Sequence, residues 1–337
     1  MNTTTKLPEG FSSRPATFDD VDEIAVLMNQ TDKAMYGFED FDAEEFKSEL
    51  EVPGFDMDAD TRVVLSPDGK IVGYLDVFAI AAIPVRPSTF GRVHLDYMNL
   101  GIGSYLLEWG IERAKHVLEK VPADARVMAN TWTASGYEPA AKLLEDHGFS
   151  LYRHYLGMRI DMDTRPPAPV WPEGITIRKI TIPDELEMWF RTFDETFKDH
   201  FGHVDQPFET AFEQFKHFHL NDPHYDPDLW FIAMDGDEPA AILKGTKQST
   251  SDPDCGYLNL LGVRRQYRKR GLGLALLHYC FNVFYDRGKK AVELGVDGQS
   301  LTGALKLYES AGMHAFRKTA AYGLELKPGK DYANNGD

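Results

Sequence analysis

The sequence is short of cysteine: among 337 residues there are two, Cys255 and Cys280. They form neither a Cys-x-x-Cys pair nor a disulfide framework, so a stapled fold is excluded and a reducing cytoplasm is the expected compartment. Zinc is not expected either. His217, His219 and His224 stand near one another in the chain, but no cysteine and no ordered carboxylate pattern completes a ligand set. No apolar stretch is long enough to span a bilayer, and the opening "MNTTTKLPEG" lacks the apolar core of a signal peptide. Positive charge is also scarce. Against 53 Asp and Glu there are 36 Lys and Arg, and the formal net charge of −17 argues against general nucleic-acid binding. What is present is ordinary globular material, 43% hydrophobic and 12% aromatic, in a length that suggests two domains.

The chain repeats itself. "PEGFSSRPATFDD" begins at Pro8 and "PEGITIRKITIPD" at Pro172; "HGFSLYRHYLGMRI" from His147 answers "AGMHAFRKTAAYGL" from Ala311, both at an offset of 164. Between them, "TRVVLSPDGKIVGYLDVF" (61–78) and "LWFIAMDGDEPAAILKGT" (229–246) each read as two strands joined by an Asp/Gly turn. "LGIGSYLLEWGIERAKH" (100–116) likewise answers "RGLGLALLHYCFNVFYD" (270–286). The proline-rich "RPPAPVWPEG" (165–174) is the linker, which gives domains at 1–164 and 175–337. Each half runs strand, helix, hairpin, strand, Gly-x-Gly turn, long helix, strand, helix, strand. That order predicts an α+β fold with a mixed sheet.

The halves differ in charge. Residues 1–165 hold 16 basic and 28 acidic side chains, net −12; residues 166–337 hold 20 and 25, net −5. Five of the second half's bases stand together, Arg264, Arg265, Arg268, Lys269 and Arg270, just before Gly271-Leu272-Gly273. A helix N-terminus carries unpaired N–H groups and partial positive charge, glycines there admit a bulky anion, and Lys and Arg add attraction. A P-loop is excluded because no Lys-Ser/Thr follows, and a dinucleotide fingerprint because residue 276 is Leu.

The remaining pattern, Arg/Gln-x-x-Gly-x-Gly/Ala between a strand and a helix, is met by Arg268, Gly271 and Gly273, and it resembles the pyrophosphate loop of the GCN5-related N-acetyltransferases (the GNAT superfamily). About 35 residues on, "VDGQSLTGALKLYESAGM" places Ala304, Leu307, Tyr308, Gly312 and Met313 in the register of that family's second motif, with Leu301 at its Asn position. The tandem arrangement looks most like the mycothiol-synthase-type branch.

The resemblance implies two tandem domains, each a mixed, mostly antiparallel twisted sheet flanked by helices. It implies direct transfer of an acetyl group from acetyl-CoA to a primary amine of a small molecule. Leu261, Gly262 and Val263 would pair with the pantetheine, Arg268 through Ala275 (Arg268, Lys269, Arg270, Gly271, Leu272, Gly273, Leu274, Ala275) would take the pyrophosphate, and Tyr308 would be the general acid. Many relatives use a Glu on the fourth strand as base; the matching position near Tyr257 carries none. Glu195, Asp199 and His200 fall where relatives build the acceptor side and are candidates to take a proton or hold a cationic amine. The first half keeps Gly101 and Gly103 but has Met98, Asn99 and Leu100 for the bases and Leu144 for the Tyr, so it is expected to be degenerate. Acetylation of a protein or peptide amine, and a non-catalytic acyl-CoA sensor, are the alternatives. A monomer or a homodimer fits a fused pair.

Overall fold

The computed structural model describes residues 5–300 and 303–334. In chain order the elements are β1 (Ser12–Arg14), α1 (Val21–Tyr36), α2 (Ala43–Leu50), α3 (Met57–Asp60), β2 (Thr61–Leu65), β3 (Ile71–Phe78), β4 (Ser88–Val93), α4 (Ile102–Ala114), β5 (Val127–Ala134), α5 (Glu138–Asp146) and β6 (Ser150–Asp161). Then follow β7 (Ile175–Lys179), α6 (Leu186–Phe197), α7 (Phe208–Leu220), β8 (Trp230–Asp235), β9 (Glu238–Thr246), β10 (Cys255–Val263), α8 (Leu272–Asp286), β11 (Ala291–Asp297), α9 (Ala304–Ser310) and β12 (His314–Lys327).

Two compact units result, and neither is a contiguous half of the chain. The first holds residues 1–154, 206–218 and 319–333; the second holds 155–205, 219–318 and 334–337. They do not coincide with 1–164 and 175–337, because each half gives its last strand away. In the first unit the sheet order is β1-β2-β3-β4-β5-β12, where Thr319–Lys327 of β12 lies antiparallel to β5. In the second it is β6-β11-β10-β9-β8-β7, where Tyr155–Asp161 of β6 lies antiparallel to β11. Each sheet contains one parallel pair, β4–β5 or β10–β11, among antiparallel neighbours. The mixed, mostly antiparallel sheet expected from the sequence is therefore present in both units.

In the second unit β8 and β9 are buried along nearly their whole length because both faces of the sheet are covered. One face packs on α8, whose Leu272, Leu276, Cys280 and Phe284 recur at i+4. Fully burying a side chain such as Phe281 or Phe284 contributes about 2–3 kcal/mol. The other face meets α6, where Trp189 and Trp230 are both buried and the Trp189 indole N–H donates to the Phe231 carbonyl at 2.9 Å. The proline-rich segment follows α8: Asn282 donates to the carbonyl of Pro167 at 2.9 Å, and Trp171 stands edge-on to Tyr279.

Candidate active site

The second unit contains a fork. β10 and β11 pair only where Cys255–Tyr257 face Ala291–Glu293. Beyond that point β10 runs on to Val263, held on its other edge by β9, while β11 runs to Asp297. The β10 edge facing β11 thus carries main-chain groups with no partner on that strand. Leu261, Gly262 and Val263 lie on this open arm. Leu261 and Val263 turn their side chains to the α8 core, and Gly262 faces α6. A Cβ on Gly262 would come 2.2 Å from Thr196 Oγ1, so only glycine lets the end of α6 rest on this strand.

Past Val263, a single 3₁₀ turn at Arg265–Tyr267 leads to Lys269 and Gly271, which caps α8. Both adopt left-handed backbone, with φ of 61° and 83°. For Lys269 this costs about 1–2 kcal/mol, and strain of this kind concentrates where the backbone conformation serves a ligand. Nothing lies within 4 Å of a Cβ built on Gly271. The first amide of α8 to bond back is that of Ala275, to the Gly271 carbonyl, so the amides of Leu272, Gly273 and Leu274 precede the helix's own ladder. Gly273 admits Leu307 of α9 against the turn, since its Cβ would stand 3.0 Å from Leu307 Cδ2.

The five bases do not act alike. Arg268 donates to Asp199 Oδ2 at 2.7 Å, to the Val263 carbonyl at 2.9 Å and to the Thr196 carbonyl at 3.3 Å. Arg265 donates to the same Asp199 carboxylate. Arg264 spans Glu195 at 2.9 Å and Glu238 at 3.2 Å. Three of the five therefore bind protein carboxylates and pin the turn to α6. Lys269 and Arg270 make no ion pair among the described residues; Arg270 lies over the Tyr267 ring at 5.6 Å. These two, with the α8 amides, are the groups available to an external anion. A nucleotide pyrophosphate fits this turn: open space at Gly271, unladdered amides and two uncommitted cations.

Glu195 and Asp199 sit against the turn. The hydrogen bond from Arg265, supported by Arg268, holds the Asp199 carboxyl well below the usual carboxylate range, so it stays ionised and takes no proton from an amine. Glu195 is bound through both oxygens to Arg264 Nε. The clue available in the sequence was the Glu195/Asp199 spacing of four, which puts two carboxylates on one side of a helix end. His200 differs. It keeps an exposed edge, yet surrounding protein desolvates the ring and lowers its pKa below the ordinary value, with the Arg268 charge acting in the same direction. Asp199 and Asp297 oppose this. A neutral imidazole near pH 7 follows.

Tyr308 lies on α9, packed against the α8 core. Burial pushes its phenol up to about 12. Such a group keeps its proton and donates a hydrogen bond. Leu301 lies outside the described residues. Among the described residues no three His, Cys, Asp or Glu side chains converge as metal ligands, and no helix is long and apolar enough to cross a membrane.

The first unit repeats the frame. β4 and β5 pair in parallel at Ser88 and Asn130, a 3₁₀ turn at Leu95–Tyr97 precedes the glycines, and Asn99 and Gly101 have φ of 62° and 82°. These φ angles match those of the second turn to within a degree at both positions. A cavity of about 950 Å³ opens there, lined by Arg92, Gly101, Gly103, Trp132, Tyr137 and Leu144 among others. Its turn lacks the Lys and Arg, and Leu144 stands in place of a tyrosine.

Residues 186–313, which hold the fork, the turn and Tyr308, match the family model described as the acetyltransferase (GNAT) family. Mycothiol acetyltransferase of Thermomonospora curvata is 29% identical over 241 residues, covering 69% of this chain and 77% of that one. A tandem GNAT protein from the clavulanic acid biosynthesis pathway shares the fold at 16% identity, with a TM-score of 0.68 over 95% of this chain and 100% of that one. The crystal structure of a GCN5-related N-acetyltransferase from Sphaerobacter thermophilus is 32% identical, superimposes with a TM-score of 0.80, and spans 97% of this chain and 99% of that one. Fork, turn and kinship agree: the chain belongs to the GCN5-related N-acetyltransferase family, acyltransferases whose cosubstrate is acetyl-CoA.

Proposed function

We propose that the second unit N-acetylates a primary amine of a small molecule, by direct transfer within a ternary complex. The observation that carries this is the conjunction, in one unit, of the open β10 arm, an anion turn with Lys269 and Arg270 uncommitted, and the Tyr308 hydroxyl. Relatives named for mycothiol support a small-molecule acceptor over a protein one. The open main chain of Leu261–Val263 holds the pantetheine, and the turn from Arg268 to Ala275 holds the pyrophosphate. In the transfer a C–N bond forms, a C–S bond breaks, nitrogen loses one proton and sulfur gains one.

An alkylammonium has a pKa near ~10.4 and must lose its proton before it attacks. With Asp199 and Glu195 committed to arginines, His200 takes the part of proton acceptor, directly or through water. The first unit, with neither the cations nor the tyrosine, is non-catalytic.

The test is release of free thiol from acetyl-CoA in the presence of spermidine, glucosamine, glycinamide or n-butylamine. Amine-dependent release is expected with at least one. Its kcat should fall on acidification through a pKa below the ordinary imidazole value, since protonated His200 accepts nothing. Tight acetyl-CoA binding with no release from any amine would overturn this reading in favour of a non-catalytic acyl-CoA sensor.

A further inference from the structure

We propose that Asn259 orients the attacking amine, its side-chain carbonyl accepting a hydrogen bond from the acceptor N–H at the apex of the fork. This rests on the reading of the second unit as the acetyl-transfer site. Three observations converge on it.

The first is a bulge in β10. Leu258 pairs with Gly245 and Leu260 with Lys244, leaving Asn259 as the extra residue with no opposite number on β9. Bulges of this kind re-aim a side chain and recur beside active sites. The second is position. The last parallel pair is Tyr257 with Glu293, so Asn259 stands two residues past the point where β10 and β11 part. Tyr257, two residues earlier, lies along the neighbouring strand: a Cβ on Gly295 of β11 would lie 3.4 Å from its hydroxyl. The third is an unmet hydrogen bond. Asn259 Oδ1 is buried and has no partner among the described residues. A buried amide oxygen without a donor destabilises the free protein, so its partner is to be sought in a ligand or a bound water.

The chemistry at the apex selects the donor. From Cys255 to Val263 β10 carries no carboxylate. An amide carbonyl accepts an N–H bond from an amine but cannot take its proton. Asn259 therefore fixes the direction of the nitrogen lone pair, and the proton that nitrogen gives up leaves by another route, while sulfur gains one as the C–S bond breaks. Asn259 contacts substrate and does no acid–base work.

The experiment is steady-state kinetics with whichever panel amine the wild type uses, plus calorimetric titration of acetyl-CoA, on Asn259→Ala, Asn259→Leu and Asn259→Asp. Leu keeps the volume, and Asp keeps an acceptor oxygen. Ala and Leu are expected to raise the amine KM about tenfold or more, with acetyl-CoA affinity within twofold of wild type. Asp should bring the amine KM back to within a few-fold. An unchanged amine KM in both Ala and Leu overturns the assignment alone. So does weakened acetyl-CoA binding with unchanged amine KM, which would put the Asn259 amide N–H on the acyl oxygen. A wild type inert toward every amine overturns the underlying reading and this assignment with it.

Discussion

Tyr308→Phe is expected to lower kcat for acetyl transfer about 10²–10³-fold, with the acetyl-CoA KM within a few-fold of wild type. The ring is packed against the α8 core and stays so as Phe, so the change removes a hydroxyl and little else. What that hydroxyl does follows from its surroundings. Burial pushes it up to about 12, whereas a leaving thiol has a pKa near ~8.5 by analogy with cysteine. Complete proton transfer from the phenol to the thiolate would be uphill by about 5 kcal/mol. On the proposed reading, Tyr308 therefore serves as a hydrogen-bond donor that steadies charge on sulfur as it leaves, and proton transfer follows from solvent or lags bond cleavage. The pH profile separates the two roles. With a donor, wild-type kcat shows no alkaline limb between pH 8 and 10 that depends on Tyr308. An alkaline limb in that range, abolished in Tyr308→Phe, would mean a phenol of lowered pKa acting as acid.

Arg159→Ala is expected to cost the second unit about 3 kcal/mol of stability, far more than a surface substitution. Arg159 belongs to the first half of the sequence but lies on the stretch of β6 that closes the sheet of the second unit. Its guanidinium contacts Glu293 Oε1 at 2.5 Å, Asp161 at 2.9 Å and Asp252 at 3.3 Å. Glu293, on β11 at the base of the fork, is 4% exposed. Removing the arginine leaves that carboxylate buried and unpaired. Chemical denaturation of Arg159→Ala and of Arg159→Ala/Glu293→Gln checks this. The double variant, with the charge gone, should recover at least half of the loss. If Arg159→Ala unfolds within about 0.5 kcal/mol of wild type, the ion pair is not what holds β6 in place.

How much of this was legible in the residues varied with the distance over which they act. The fork arm, the Gly-x-Gly turn, α8, β11 and α9 are consecutive, and each announces itself through local pattern, so their order agrees with the sequence reading. The exchange of β6 and β12 was hidden for the opposite reason. Both strands have the same place in the repeat, and antiparallel pairing with β11 or β5 satisfies either equally; nothing local says which half a strand will join. The five bases show a third case. In sequence they are one cluster, and only the fold brings Glu195 and Asp199 against Arg264, Arg265 and Arg268, while Lys269 and Arg270 make no ion pair among the described residues. Asn259 was invisible for the same reason: a bulge is a property of register between β9 and β10, and register is not written in either strand alone.

The central claim is that acetyl-CoA is held by the turn of the second unit. Calorimetric titration of acetyl-CoA into the wild type and into Lys269→Ala/Arg270→Ala tests it most directly. Among the described residues these side chains carry no ion pairs whose loss would disturb α6, so the variant should fold as the wild type does. The expected result is a site in the wild type that the variant binds about 100-fold more weakly, the loss of two charge-assisted hydrogen bonds to phosphate. The wild-type affinity should also fall with added salt, because the attraction is local in an otherwise acidic protein. Unchanged affinity in the double variant would contradict the claim and move the cofactor away from this turn.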